Sequence, residues 1–126
     1  MNNNGNSGRQ ILVVDDEPSV CRAIKMLLEV DGHEVSIAAG GYEALDIFDK
    51  ATFDLVLTDY SMPDMKGDEF AAIIKQRRPT QRIIMITAFG SELKASGKLN
   101  GLVEALIDKP FSLADLRSVT ARVLGD

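Results

Sequence analysis

Five residues of this chain carry side chains suited to handling a phosphate group. They are three aspartates, one threonine and one lysine: Asp15, Asp16, Asp59, Thr87 and Lys109. Carboxylates held close together disfavour one another's charge, and a hard divalent cation removes that repulsion. Oxygen ligands favour Mg²⁺, or Mn²⁺, over zinc, while a hydroxyl and an ammonium group suit phosphate oxygens. The residue types therefore indicate in-line phosphoryl transfer to a carboxylate nucleophile.

Asp59 is the central member of this set because of the stretch in which it lies. The apolar run 55–57 precedes it, and a loop marked by Pro63 and Gly67 follows it. A short apolar run bounded by turn residues is typical of a buried strand. We therefore expect Asp59 at the carboxyl end of a core strand, where open α/β sheets bind their ligands.

The alternation of apolar patterns predicts the elements that position these side chains. Short apolar runs predict five strands, at 10–14, 34–38, 54–58, 82–86 and 103–107. Apolar residues at helical spacing predict five helices, beginning near Pro18, Gly41, Gly67, Ser91 and Ser112. The helix predicted at 91–98 is the weakest, since glycines crowd its end. Strict alternation of strand and helix predicts a doubly wound α/β domain with a parallel sheet.

Polar side chains end four of the five predicted strands. Asp15 and Asp16 follow the first strand, Asp59 the third, Thr87 the fourth and Lys109 the fifth. Parallel strands bring their carboxyl ends to one edge of the sheet, which is the ligand-binding edge of such folds. If the first and third strands are neighbours, the three carboxylates meet at one spot.

Bulk properties limit the class of protein without indicating its chemistry. The chain has 126 residues, a formal net charge of −5 and one cysteine, Cys21. This length suits one domain, and the acidic balance argues against a nucleic-acid-binding surface. A lone cysteine fits a reducing compartment, and no window approaches the roughly 18 apolar residues of a membrane span, so we expect a cytoplasmic domain. Residues 1–9 are Asn- and Gly-rich and predict a disordered tail before a domain at 10–125.

Several short motifs occur together in the order found in one known family. These are 13–18 (VVDDEP), Asp59 followed by Met62-Pro63 and Gly67, then Thr87-Ala88, and finally Lys109-Pro110-Phe111. On these residues the chain resembles the receiver domains of two-component response regulators over 10–124. The resemblance implies a flavodoxin-like, five-stranded parallel sheet in the order 2-1-3-4-5, flanked by five helices. It also implies a phosphorelay in which a sensor histidine kinase or a phosphotransfer protein phosphorylates Asp59.

The same resemblance implies a role for each site residue. Asp16 would bind Mg²⁺ directly, Asp15 largely through water, and Ser61 through its backbone carbonyl, alongside Asp59. Thr87 and Lys109 would bind the phosphoryl oxygens, and the peptide bond between Lys109 and Pro110 would be cis. Ser61 also occupies a position that tunes the lifetime of the phosphate in the family.

The first predicted helix offers a docking surface for the phosphodonor. Its apolar face is centred near Val20, Ile24 and Leu27, so Met26 projects away from that face, close to Arg22 and Lys25. An exposed methionine beside cations suits an adaptable partner surface, and histidine phosphodonors dock on this helix in the family. A weak homodimer is a further expectation.

Leu106 departs from the family pattern, which commonly has Tyr or Phe at this position. A leucine has neither the hydroxyl nor the ring, so we expect weaker or differently routed switching through the fourth helix and fifth strand.

Two other functions fit the fold class. An Mg²⁺-dependent aspartyl-phosphate hydrolase would want a general acid or base where Ser61 stands. A flavin-type nucleotide binder would want a phosphate-binding loop where 15–17 (DDE) stands.

Overall fold

A computed structural model describes residues 8–125 of the chain. Five strands alternate with five helices, in the order β1 (Gln10–Val14), α1 (Pro18–Val30), β2 (Glu34–Ala38), α2 (Gly41–Lys50), β3 (Leu55–Asp59), α3 (Gly67–Arg77), β4 (Ile83–Thr87), α4 (Gly90–Ser96), β5 (Ala105–Asp108) and α5 (Leu113–Leu124). The strands form one parallel sheet in the order β2-β1-β3-β4-β5. The doubly wound fold predicted from the sequence is confirmed.

The register of the sheet brings the ends of the inner strands to one edge. Val14 pairs with Thr58 on β3, and Asp59 pairs with Ile86 on β4. Thr87 in turn pairs with Asp108 on β5. The residues that follow these pairs therefore share the carboxyl edge of the sheet, as the sequence predicts.

The sheet is covered on both faces, which explains why its strands are almost wholly apolar. Alternate residues of β1 point to opposite faces: Ile11 and Val13 into one cluster, Leu12 and Val14 into the other. Helices α1 and α5 contribute to the first cluster, and α2, α3 and α4 contribute to the second. Each fully buried aliphatic side chain of this kind stabilises the fold by about 1.5–3 kcal/mol.

Several boundaries differ from those predicted by the sequence. Strand β5 begins at Ala105 rather than at 103, because the Glu104 carboxylate accepts the Ile83 N–H at 2.6 Å where a strand carbonyl would otherwise do so. Strands β3 and β4 each begin and end one residue later than predicted, so Asp59 and Thr87 are their last residues. Helix α4 is shorter than predicted and ends at Ser96, because Gly97 adopts a left-handed conformation with φ 74°.

The last two residues of the predicted tail, Gly8 and Arg9, belong to the described part of the chain. Most of the predicted tail, residues 1–7, lies outside the described residues. Gly8 and Arg9 are bonded to the domain: the Gly8 N–H donates to the Gly32 carbonyl at 2.8 Å, and Arg9 Nη1 donates to the Leu124 carbonyl at 3.2 Å. Between residues 8 and 125, the helices are too short or too polar for any of them to cross a bilayer.

Candidate phosphoacceptor and metal site

Three carboxylates meet at the carboxyl edge of the sheet. Ligand oxygens of Asp15, Asp16 and Asp59 all lie within 4.8 Å of one another. Strands β1 and β3 are neighbours, and Asp15 follows the first while Asp59 ends the second. Asp15 is 2% exposed and Asp59 5% exposed, whereas Asp16 is exposed to solvent. The sequence prediction that these groups converge is thus borne out in the geometry.

Lys109 brings a positive charge to the buried carboxylates. Its Nζ lies 3.2 Å from Asp59 Oδ1, 3.5 Å from Asp15 Oδ2 and 3.9 Å from Glu17 Oε1. The peptide bond that follows it, to Pro110, is cis, as expected. The contact with Glu17 was missed in the sequence, although the run 15–17 of three acidic residues could have indicated it.

The electrostatics of the site favour an additional cation. Burial raises the pKa of Asp59, the charge of Asp15 raises it further, and Lys109 only partly offsets both. Burial likewise raises the pKa of Asp15. Burial alone would lower the pKa of Lys109, but the charges of Asp15 and Asp59 outweigh it and the pKa is raised. The single positive charge of Lys109 faces the negative charges of Asp15, Asp59 and the neighbouring Asp16. A divalent metal would supply the positive charge that is missing.

Hydrogen bonds from the backbone orient Asp15. Its Oδ1 accepts the Glu17 N–H at 2.9 Å, and its own N–H donates to the Ala38 carbonyl at 3.1 Å. The Cys21 thiol donates to the Asp15 carbonyl, with the sulfur 3.3 Å from the oxygen. Burial, followed by the charge of Asp15, raises the pKa of that thiol to about 11. Cys21 therefore supports the site as a neutral donor.

Thr87 lies at the end of β4 and is 1% exposed. Its Oγ1 accepts the Phe89 N–H at 2.9 Å, which fixes the start of the β4–α4 connection. Accepting this bond uses an oxygen lone pair and leaves the hydroxyl proton free to point elsewhere. At the same edge of the sheet, the Tyr60 N–H donates to the Ile86 carbonyl at 2.9 Å and so joins the residue after β3 to β4.

Ser61 is exposed at the beginning of the loop that follows Asp59. The loop closes on itself at Gly67, whose N–H donates to the Tyr60 carbonyl at 2.8 Å. A Cβ at Gly67 would lie 2.7 Å from the Tyr60 Cα and 2.9 Å from the Asp59 carbonyl oxygen. Only glycine allows this close return of the chain beside Asp59.

Comparison with known proteins decides the family. Residues 11–121 match the family model described as the response regulator receiver domain. The chain belongs to this family. It is 33% identical over 110 residues to the transcriptional regulatory protein TcrA of Mycobacterium tuberculosis, covering 87% of this chain but 44% of that protein. This receiver domain thus spans less than half the length of that curated relative.

Solved receiver domains share the fold. The CheY-like receiver domain protein of Methanospirillum hungatei JF-1 is 34% identical, with a TM-score of 0.87, and the match covers 94% of this chain and 95% of that one. The response regulator TrrA of Thermotoga maritima, solved in complex with Mg(2+)-BeF, is 31% identical, with a TM-score of 0.83 and coverage of 91% and 98%. The fold on which the acidic cluster lies is thus the fold of solved receiver domains.

The helix predicted to meet a phosphodonor exposes apolar side chains in this receiver domain. Met26 is 69% exposed and Val30, one turn later, 79% exposed, while Ile24 on the opposite side is buried. Arg22 is exposed, and Lys25 Nζ lies 3.9 Å from Glu29 Oε2. The outward direction of Met26 is therefore confirmed, and its role in docking stays a prediction.

Leu106 packs inward rather than standing on the surface. It is half-buried on β5 against the cluster that α2, α3 and α4 share. Its Cδ2 lies 2.9 Å from the position that a Cβ at Gly90 would take, at the first residue of α4. Leu106 therefore approaches α4 closely at its first residue.

Proposed function

We propose that this receiver domain accepts a phosphoryl group on Asp59, with Mg²⁺ bound, from a phosphohistidine on a sensor kinase or phosphotransfer protein. The observation that carries the proposal is the meeting of three acidic side chains and one lysine at a single sheet edge. Lys109 Nζ stands 3.2 Å from Asp59 Oδ1, and the ligand oxygens of the three aspartates lie within 4.8 Å of one another. The T. maritima relative solved in complex with Mg(2+)-BeF supports the metal requirement.

The residues present fit a hard divalent cation. The cluster offers carboxylate oxygens, and burial with too little compensating positive charge holds the pKa values of Asp15 and Asp59 above their usual range. Asp16 and Asp59 would bind the metal directly, Asp15 would act through water, and Ser61 would contribute its backbone carbonyl. When bound, the metal supplies positive charge to the oxygens of the transferred group and neutralises the carboxylates. Mn²⁺ offers the same chemistry and is an alternative ion.

The transfer itself follows from the positions of Asp59 and Lys109. An oxygen of the Asp59 carboxylate attacks phosphorus, the bond between phosphorus and the imidazole nitrogen breaks, and the electron pair of that bond stays on the leaving imidazole. The ammonium group of Lys109 stabilises the negative charge on the phosphoryl oxygens. The Thr87 hydroxyl donates its proton to one of these oxygens. The product is an acyl phosphate on the domain, which acts as a signal and not as a released product.

The phosphodonor docks on α1 beside the site. Pro18 starts this helix three residues after Asp15, so its amino-terminal end adjoins the carboxylate cluster. Met26 and Val30 present an apolar stripe, and Arg22 and Lys25 flank it with positive charge. A helical phosphodonor with an apolar face and acidic flanks complements this surface. Reversing the charge of both Arg22 and Lys25 is expected to slow transfer from the kinase while leaving phosphorylation by a small-molecule donor unchanged.

Intact mass measurement after incubation with acetyl phosphate tests the site. We expect one phosphoryl adduct that requires Mg²⁺ and disappears in Asp59→Asn. Asp46→Asn is the matched control, since Asp46 is an exposed aspartate on α2 paired with Lys50 at 3.2 Å. An adduct that survives in Asp59→Asn would overturn the assignment of Asp59. Many rounds of phosphate release from an unrelated phosphoester would instead favour the hydrolase.

A further inference from the structure

Asp64 joins the loop that follows Asp59 to the start of α2. Its Oδ1 accepts the Gly41 N–H at 3.1 Å, and its Oδ2 accepts the Tyr42 N–H at 3.0 Å. The first amides of a helix have no partner within it, and a carboxylate placed there also interacts favourably with the helix dipole. The same contact lowers the pKa of Asp64, with the Tyr42 N–H as the largest cause. One side chain of the loop thus caps a helix that lies 22 residues earlier in the chain.

Two glycines leave the space that this contact needs. A Cβ at Gly40 would lie 2.8 Å from Asp64 Oδ2, and a Cβ at Gly41 would lie 2.8 Å from Met65 Sδ. Both values are below any ordinary carbon contact, so a side chain at either position would displace the loop residue it meets. The backbone φ of Gly40 is −170°, which any residue adopts, so close approach and not backbone strain is the reason for glycine here.

The loop is therefore held at two places, where its ends close and at its middle. The end near Asp59 is closed by Gly67, whose N–H donates to the Tyr60 carbonyl at 2.8 Å. The middle is fastened to α2 through Asp64, and the side chains of Met62 and Met65 on either side of it are buried. Ser61, the residue whose carbonyl faces the metal in the proposed function, lies between these two attachments. A loop with a free middle would let that carbonyl move away from the carboxylates.

We propose that Asp64 is a positioning residue, which holds the loop 60–66 against α2 and so keeps the Ser61 carbonyl in place for Mg²⁺. This inference rests on the proposed function in one respect, namely that Ser61 contributes to the metal site. Asp64 itself touches neither the metal nor the phosphoryl group. It acts through the loop backbone, and the amides of Gly41 and Tyr42 are its partners.

An Mg²⁺ titration followed by amide NMR tests the proposal. We expect Asp64→Ala and Gly40→Ala to weaken Mg²⁺ binding roughly tenfold, the lower end of the range for residues that support metal ligands. Gly40→Ala is informative because it leaves every loop residue unchanged and displaces only the Asp64 carboxylate. Glu43→Gln is the matched control, since it removes a carboxylate charge in the first turn of the same helix, where Glu43 accepts the Ala39 N–H at 2.7 Å. This control is expected to stay within about twofold of the wild type, because the amide oxygen of Gln can still accept the Ala39 N–H.

The outcomes separate this inference from the proposed function. Wild-type affinity in both Asp64→Ala and Gly40→Ala would overturn the positioning role and leave phosphorylation of Asp59 untouched. Failure of acetyl phosphate to modify Asp59 would overturn the function, whereas the Mg²⁺ titration would still decide the role of Asp64. Should Asp64→Ala not fold, hydrogen exchange in the wild-type protein decides the matter. If attachment of Asp64 to α2 favours Mg²⁺ binding, Mg²⁺ binding must equally favour the attachment, so Mg²⁺ is expected to slow exchange of the Gly41 and Tyr42 amides. Unchanged exchange would contradict the positioning role.

Discussion

Lys109 and Asp59 form an ion pair in which the carboxylate is buried and the ammonium group is partly exposed. The Lys109 ammonium lies 3.2 Å from Asp59 Oδ1, yet it also lies 3.5 Å from Asp15 Oδ2, so its charge is divided between two carboxylates. Burial dominates the result, and the pKa of Asp59 stays raised despite the pair. Without a metal, the negative charge of the buried Asp15 and Asp59 carboxylates is therefore only partly compensated, which is unfavourable for the folded state.

Neutralising Asp59 is expected to stabilise the metal-free domain at pH 7. A carboxyl group whose pKa is raised on folding adds stability below its unfolded pKa of about 3.9 and loses that contribution as the pH rises through its folded value. Asp59→Asn should thus raise the free energy of unfolding by about 1 kcal/mol in urea at pH 7, and by less near pH 4. Asp46→Asn should leave it unchanged. A destabilised Asp59→Asn protein at pH 7 would show that the ion pair outweighs burial.

Mg²⁺ is expected to stabilise the wild-type domain by relieving the same charge. At a concentration 100 times the dissociation constant, a ligand specific for the folded state adds about 2.7 kcal/mol to the free energy of unfolding. Asp16 is exposed and within the cluster, so Asp16→Asn should remove most of this gain while hardly changing stability in EDTA. Thermal unfolding with and without Mg²⁺ measures both quantities. Equal gains in the wild type and in Asp16→Asn would exclude Asp16 as a ligand.

A single buried hydroxyl on α5 offers a test of packing away from the site. Thr120 is 1% exposed, and its Oγ1 has no hydrogen-bond partner among the described residues. Thr120→Val keeps the shape of the side chain and removes the unsatisfied group, so we expect a gain of about 1 kcal/mol in the free energy of unfolding. The exposed Thr80 provides the control, since Thr80→Val should change stability by less than about 0.5 kcal/mol. A loss of stability in Thr120→Val would indicate a partner for the hydroxyl.

Cys21 is expected to resist thiol reagents in the folded domain. It is 3% exposed, and burial raises the pKa of its thiol to about 11, so little thiolate is present at pH 8. Its reaction with a disulfide reagent should be at least about 100-fold slower in buffer than in urea. A cysteine placed at Met26 in a Cys21→Ala background should react rapidly in buffer. Similar rates for Cys21 in buffer and in urea would contradict the buried thiol.

Leu106 leads us to expect a small change in self-association on phosphorylation. Its aliphatic side chain lies close to Gly90 at the start of α4, and it has neither the hydroxyl nor the ring that the family resemblance leads us to expect at this position. Sedimentation velocity before and after treatment with acetyl phosphate measures the change. A large shift toward dimer on phosphorylation would show that α4 and β5 transmit the signal without an aromatic residue.

The fold and most of the site could be predicted because both depend on local patterns. Apolar runs and helical spacing indicate the elements, and the residue that ends each inner strand is drawn to a common edge by parallel pairing alone. Asp64 could not be predicted in the same way. Its partners, the amides of Gly41 and Tyr42, are distant in the chain, and a carboxylate after Pro63 looks like any turn residue. Glu104 was missed for the same reason, since its side chain takes over a backbone bond to Ile83 across the sheet.

The Leu124 carbonyl has a mechanical consequence for the domain. Arg9 Nη1 donates to it at 3.2 Å and Arg82 Nη1 at 3.3 Å, so the residues before β1 and β4 are both fastened to the end of α5. These two strands are interior members of the sheet. The carboxyl end of α5 is therefore anchored in two ways, through its covalent connection to the edge strand β5 and through side chains that precede two interior strands. These two bonds lie at the amino ends of the strands, opposite the carboxyl edge that carries Asp59.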